Sequence, residues 1–453
     1  MEKIINADSG RFTTIVLQKT NNQTLQYQLG NRREFCYELI DLEPENYHFE
    51  ILNAIKQILK DPVQSKKDFL IFCLNDHEFS EDYNAVTFEE NIKRAQELEA
   101  DVLVSGLSYF CCSIPIDEHL SWVESIESAQ FIVIFKRFYQ TFQTSFTIPN
   151  EYIHARISRL SQNKMVQTPF FSINKGINSK DPIESSDSSI NNKNSSAFRN
   201  LQLSGTIYQY YGKLQNLIES SNPTLPADEI SIPTYVINLP ERNDRRSHII
   251  KQFQDKSEFD FKIIEAHRHS IGAIGLWITI RKIIRLALEN DDDVIIICED
   301  DHEFTEDYAK HELFRNIFEG FQQRIDYING GTSSINVVVP VSRTRYWADS
   351  TRATQFMIIY KRLFEKILNY EFSKGVIADI VLSNLAENKM ILFPFISKQH
   401  NFGYSDVTPQ HNMDADLVDI MFSDTERRLF QISYAFEKYN TLQSLIRTGK
   451  ENN

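Results

Sequence analysis

The chain has 453 residues, 42% of them hydrophobic and 12% aromatic, and a formal net charge of −14. That much apolar material excludes general disorder, and the length exceeds what one hydrophobic core supports, so two domains are expected. The acidic balance argues against a nucleic-acid partner, which would call for a basic face. The first residues, MEKIINADSGRF, lack the charged-then-apolar layout of a secretory leader, and no apolar run approaches the length of a membrane span. The five cysteines, Cys36, Cys73, Cys111, Cys112 and Cys298, have no zinc-type spacing and read as reduced thiols. The expectation is a cytoplasmic protein, at most peripheral to the inner face of a membrane.

Residues 69–83 read FLIFCLNDHEFSEDY and residues 294–308 read VIIICEDDHEFTEDY, nine of fifteen identical at an offset of 225. The same offset matches Gln130 to Gln355, Lys136-Arg137 to Lys361-Arg362, Asn163-Lys164-Met165 to Asn388-Lys389-Met390, and Pro169-Phe170 to Pro394-Phe395. A constant offset without a gap points to a duplicated domain. It divides the chain into a first copy (1–175), a connection (176–231), a second copy (232–412) and a C-terminal extension (413–453). Residues 176–199 are rich in Ser, Asn, Asp and Lys, too polar to offset the entropy of ordering. LQLSGTIYQYYGKLQNLIES then reads as a helix, and SNPTLPADEISIP ends the connection with three prolines.

In the second copy, PTYVINLP predicts a strand and turn, RNDRRSHIIKQFQ a helix, and FDFKIIEA a second strand. GAIGLWITIRKIIRLALEN has helical periodicity closed by Asn290, and DVIIICED is a strand bounded by acids. YINGG predicts a strand and turn, ATQFMIIYKRLFEKIL a strand running into a helix, GVIADIVLSNLAEN a helix and KMILFPFIS a last strand. Residues 424–447 predict an amphipathic helix capped by Asp424 or Thr425, packed on the body or on a partner subunit, as in a homodimer. This alternation predicts an α/β protein with two tandem Rossmann-like domains, mostly parallel sheets and a C-terminal helix. Ligands of such sheets bind at the carboxyl ends of the strands, where Asn238 and Glu299-Asp300-Asp301 fall.

Three carboxylates at the end of a buried strand repel one another unless a cation is bound, and oxygen ligands suit Mg²⁺ or Mn²⁺. Residues 299 and 301 share one side of an extended chain, which makes Glu299 and Asp301 the metal pair and leaves Asp300 to the donor. The plain alternative is a solvated acidic turn. Arg242, Arg245 and Arg246 follow the strand end at Asn238 and are candidates for phosphate contact, unless they are surface residues of a helix start. Gly272 and Gly275 open a helix whose N-terminus favours anions, though helix–sheet packing explains them as well. Asp379 and Asp406 are candidate bases toward an acceptor hydroxyl, with a capping role as the alternative for Asp379. His400 and His411 could add to a metal shell.

In this order the segments resemble glycosyltransferase family 25, which includes lipooligosaccharide and collagen galactosyltransferases. YVINLPERNDRR is similar to the family's Asn-Leu strand with trailing arginines, GAIGLWITI to its glycine helix start, and VIIICEDD to its acidic metal motif. IADIVLSN, ILFPFISKQ and YSDV resemble its closing helix, strand and Ser-Asp end. The resemblance implies a GT-A fold, a UDP-sugar donor with galactose first and glucose next, Mn²⁺ or Mg²⁺, and inversion at the anomeric carbon. It places Asn238 and the arginines by the nucleotide, and Glu299, Asp300 and Asp301 by metal and donor. Asp379 would be the base; the acceptor could be a glycan, protein or peptide. The chain departs from the family at Leu276 to Ile280, where Ile280 stands in place of a histidine.

The first copy has Leu74-Asn75-Asp76 where the second has the acidic triplet, and His154 at the position of Asp379. It is expected to keep the fold without transfer activity. The HEF-EDY residues shared by both copies then belong to the scaffold. A non-catalytic nucleotide-sugar or glycan binder, and a nucleotidyltransferase, are the rival classes.

Overall fold

A computed structural model describes residues 4–5, 11–19, 23–43, 47–74, 77–110, 112–174, 196–221, 230–371, 377–403 and 416–451. The chain splits into two compact units, one of residues 1–205 with 434–453 and one of residues 206–433. The first unit runs β1 (Ile4–Ile5), β2 (Phe12–Lys19), α1 (Gln23–Gly30), β3 (Phe35–Leu42), α2 (Tyr47–Lys60), β4 (Phe69–Leu74), β5 (His77–Phe79), α3 (Ala85–Glu97) and β6 (Val102–Ser105). It continues through β7 (Ser113–Pro115), β8 (Leu120–Val123), β9 (Phe131–Phe135), α4 (Lys136–Thr144), α5 (Ile153–Leu160), β10 (Lys164–Gln167) and β11 (Ser172–Asn174). Helix α6 (Ser196–Ser221) contributes its first residues to this unit and the rest to the second.

The second unit has β12 (Ile232–Asn238), α7 (Asn243–Phe253), β13 (Phe259–Glu265), α8 (Gly272–Glu289), β14 (Val294–Glu299), β15 (His302–Phe304), α9 (Lys310–Gln322) and β16 (Tyr327–Asn329). Then come β17 (Val338–Pro340), β18 (Arg345–Ala348), β19 (Phe356–Tyr360), α10 (Lys361–Asn369), α11 (Ala378–Leu385), β20 (Lys389–Leu392), β21 (Ser397–Gln399) and α12 (Leu417–Glu451), whose residues from 434 on belong to the first unit. Its main sheet is ordered β13-β12-β14-β19-β16-β20-β18-β17. The period-2 alternation of the strands sends side chains to opposite faces. Val236, Ile296, Cys298 and Ile358 pack with Ile249, Phe253 and Leu313 of α7 and α9. Tyr235, Ile295, Ile297 and Ile359 pack on the other face with Trp277, Ile280 and Ile284 of α8 and with Phe364 of α10.

One expectation needs refining and one correction. The main sheet of the second unit has most strands running one way but is mixed: β13, β12 and β14 are parallel, and β19 runs antiparallel to both β14 and β16. A parallel return needs a long crossover, usually helical, and here only the strands β17 and β18 lie between β16 and β19. The C-terminal helix starts at Leu417, upstream of Asp424 and Thr425, and Thr425 bonds the Met421 carbonyl within it at 2.9 Å instead of capping it. The upstream turns bury Phe422, edge-on to Phe395 at 6.1 Å, which gives the helix apolar contacts ahead of the expected cap. The polar connection at 176–195 lies outside the described residues.

Adding 225 to the bounds of β4, β5, α3, β7, β8, β9, α4, α5, β10 and β11 gives those of β14, β15, α9, β17, β18, β19, α10, α11, β20 and β21. The shared HEF stretch has the same place in each unit. His77 Nδ1 lies 2.7 Å from Ser172 Oγ, and His302 Nδ1 lies 2.7 Å from Ser397 Oγ. Burial pushes the His77 pKa down to about 3, so the ring is neutral in the folded protein. The unfolded chain takes up this proton near pH 6.5 and the folded chain does not. Stability is therefore full above about pH 6.5 and falls as pH drops toward 3, by up to about 1.4 kcal/mol per pH unit. Denaturation at pH 7 and pH 5 is expected to show a smaller acid loss in His77→Asn than in wild type; equal losses would mean the ring is protonated when folded.

Candidate active site

Strands β12, β13, β14, β16 and β20 all run the same way, so their carboxyl ends share one sheet edge. A cavity of about 680 Å³ opens there, with the acidic triplet on its wall. One side is built from Leu239 and the 266–270 segment after β13. The other is built from Ser333, Ser334, the 352–354 segment and the start of α11.

Asp300 is held at both oxygens. Its Oδ2 accepts from Asn238 Nδ2 at 2.8 Å and its Oδ1 from Arg245 Nη1 at 3.0 Å. Arg245 also reaches Asp301 Oδ2 at 3.4 Å, and its guanidinium lies 4.9 Å from the Phe402 ring centre. Asn238 and Arg245 are thus brought to the acids, holding a carboxylate in place. Asn238 sits behind Asp300 with 2% exposure. Arg246 is exposed, and neither it nor Arg242 lines the cavity.

Glu299 and Asp301 keep oxygens for a ligand. Glu299 Oε1 accepts from Thr354 Oγ1, and its main-chain N–H bonds the Gln355 carbonyl at 3.2 Å. Asp301 Oδ1 is enclosed and has no partner. Burial raises the pKa of Glu299 above the usual carboxylate range, and the Asp301 charge adds to this. Burial raises that of Asp301 as well, against the opposing pull of Arg245. Both shifts report negative charge crowded into an enclosed wall. Ionised together, three carboxylates with one guanidinium would leave a net deficit of two positive charges. The set fits a divalent cation held by Glu299 and Asp301, because such ions often take one or two carboxylates and complete their shell with water and substrate phosphate. Among the described residues, no group of three or more His, Cys, Asp or Glu is arranged to hold a metal. His400 does not add to the pair: its ring stacks on His248 at 4.6 Å and faces Glu303 at 3.0 Å. Asp406 and His411 lie outside the described residues.

Asp379 stands in the first turn of α11 and lines the cavity. Its Oδ2 accepts from Ala353 N–H at 2.9 Å, and its Oδ1 is enclosed without a partner. Ala353 has φ +71°, a left-handed backbone that costs a non-glycine residue about 1–2 kcal/mol. The loop therefore gives successive residues different tasks: Ala353 holds Asp379, Thr354 holds Glu299, and Gln355 holds the Glu299 main chain. The sequence reading missed Thr354, Arg352, Ser333 and Ser334. For Thr354 and Arg352 the signal was the 225 offset, which pairs them with Ala129 and Glu127.

Gly272 lines the cavity, whereas Gly275 is a packing glycine: a Cβ there would lie 2.4 Å from the His267 carbonyl. Gly275→Ala is expected to push back the 266–270 wall, costing about 1–3 kcal/mol and weakening any ligand of that side. Thermal unfolding and ligand titration check this. Ile280, where the resembled family has histidine, is fully buried in the core face of α8 and does not line the cavity.

No family model matches the chain, and no curated protein matches it. Among solved structures, apo UDP-glucose pyrophosphorylase aligns at 9% identity over 36% of this chain and 74% of that one, with a TM-score of 0.24. A likeness at that score carries no argument about this chain.

Proposed function

We propose that residues 232–412 form an inverting, metal-dependent glycosyltransferase of the family 25 type with a GT-A arrangement. It moves a hexose, galactose or glucose, from a UDP-sugar to an acceptor hydroxyl. The observation that carries this reading is the pair Glu299 and Asp301, crowded with like charge at the end of β14 and facing a substrate-sized cavity. A Mn²⁺ or Mg²⁺ ion held by that pair would supply positive charge to the departing diphosphate. Asn238 and Arg245 fix Asp300 and lower the charge of the acidic wall. The carboxylate of Asp379, which lines the cavity, is the group to accept the acceptor's hydroxyl proton, and Ala353 fixes its direction.

The same reading treats the first unit as a duplicated copy without transfer activity. At the 225 offset, Glu299 and Thr354 become Leu74 and Ala129, both buried in apolar core, and Asp379 becomes His154. The scaffold pairs at His77 and His302 remain. Glu299 and Thr354 thus lose their polar identity in the first unit, whereas Asp301 keeps its identity as Asp76.

One observation favours the rival binder reading: Arg245 already supplies a cation to Asp300 and Asp301. Calorimetric titration of UDP with and without Mn²⁺, followed by a UDP-galactose hydrolysis assay, separates the two. Manganese-dependent UDP binding with slow hydrolysis is expected. Metal-independent binding without turnover would favour the binder, and no UDP binding would end the transferase reading and leave a glycan binder.

A further inference from the structure

Arg352 lines the cavity beside Ser333 and Ser334. Its side chain is half-buried, and its Nη1 donates to the Thr351 carbonyl at 3.0 Å. Among the described residues no carboxylate forms an ion pair with it. Its main chain is held by two fully buried polar side chains. Thr332 Oγ1 accepts from Arg352 N–H at 2.9 Å and also lies 2.9 Å from its carbonyl. Asn329 Nδ2 donates to the carbonyls of Arg352 at 3.2 Å and Ala353 at 3.0 Å. Thr332 and Asn329 are both 0% exposed, so each buried polar group here serves the segment that carries the arginine. A pre-placed cation facing a cavity suits an anion.

The 225 offset provides an internal comparison. Arg352 becomes Glu127, Thr332 becomes Leu107, and Asn329 becomes Val104. Leu107 and Val104 lie in the apolar core of the first unit. The cation and both of its supports therefore change together, in the unit that also lacks Glu299 and Asp379.

Position assigns the anion. Across the sheet, β13 and β12 lie on one side of β14, and β19 and β16 on the other. Arg245 and the 266–270 wall belong to the first side. Arg352, Ser333, Ser334 and Asp379 belong to the second. A nucleotide over the parallel β13-β12-β14 half leaves the β19-β16 half to the acceptor. Ile380, Val418 and Met421 give the cavity an apolar patch.

We infer that this half of the cavity binds an acceptor carrying an anionic substituent, carboxylate or phosphate, which Arg352 holds while the acceptor's hydroxyl meets Asp379. The inference rests on the transferase reading above. Ligand-observed NMR with methyl β-glucuronide against methyl β-glucoside, and glucose 6-phosphate against glucose, tests it in wild type and Arg352→Gln, with and without UDP and Mg²⁺. At least one anionic probe should bind about tenfold tighter than its neutral twin. Arg352→Gln should erase that preference while changing UDP affinity less than twofold. Whichever anionic probe shows the preference identifies carboxylate or phosphate. Equal binding of each pair, no binding of any probe, or a preference that survives in Arg352→Gln would overturn the inference. So would a loss of UDP affinity in that variant, which would make Arg352 a donor residue. Failure of wild type to bind UDP would instead overturn the donor reading, and the sugar comparison without UDP is read separately.

Discussion

Asp301→Asn is expected to abolish manganese-dependent UDP binding and to lower kcat/KM for transfer by a factor on the order of 10³, about 4 kcal/mol of transition-state stabilisation. The substitution is nearly isosteric and leaves the Asp300 contacts to Asn238 and Arg245 in place. What it removes is the negative charge on an oxygen pair of which Oδ1 has no protein partner. Burial and like charge hold both Glu299 and Asp301 above the usual carboxylate range, so removing one charge relieves repulsion on the other. The variant should therefore fold at least as well as wild type while losing function. A lowered Tm would show that Asp301 is structural. Asp76→Ala, at the matching position of the first unit, should leave transfer within twofold. Equal loss in both variants would sink the division into an active and an inactive unit.

The α/β class and the C-terminal helix were legible because they rest on local periodicity: VIIIC reads as a buried strand wherever it lies, and α8 repeats its apolar residues every turn. The alternation argument that set residues 299 and 301 apart from 300 assumes an extended chain, but β14 ends at Glu299, residues 300 and 301 form a turn, and Arg245 reaches both Asp300 and Asp301. The direction of β19 was not legible, since the strands before it are only three and four residues long and carry little pattern. The three arginines looked alike in sequence because they follow one strand end. Helix geometry separates them: Arg242 precedes α7, Arg246 faces out, and only Arg245 turns to the acids. Thr354, Asn329 and Thr332 were invisible for another reason. Their bonds run to residues 20 to 55 positions away, and nothing local distinguishes a polar loop residue that fixes a site from one in water. Comparing the chain with itself recovers them, because each has an apolar residue at the 225 offset.

Asp379→Asn is expected to lower kcat by about 10²–10⁴-fold, the range for losing a positioned general base, while UDP and Mn²⁺ affinities stay within twofold. The asparagine carbonyl can still accept from Ala353 N–H, so the left-handed turn that also sets Thr354 against Glu299 is kept. Only the second oxygen changes, from an acceptor without a partner to an amide donor, which cannot take a proton from a hydroxyl. Asp379→Ala removes both atoms. It should also free Ala353, disturb the Thr354 contact to Glu299, cost about 1–2 kcal/mol of stability and weaken Mn²⁺ binding. The pair of variants thus separates chemistry from support: Asn tests the base alone, and Ala tests the base together with the loop it anchors. If Asp379→Asn keeps kcat within threefold of wild type while Asp379→Ala loses metal affinity, Asp379 is a positioning residue for the 351–355 loop, and the search for the base moves to Asp406.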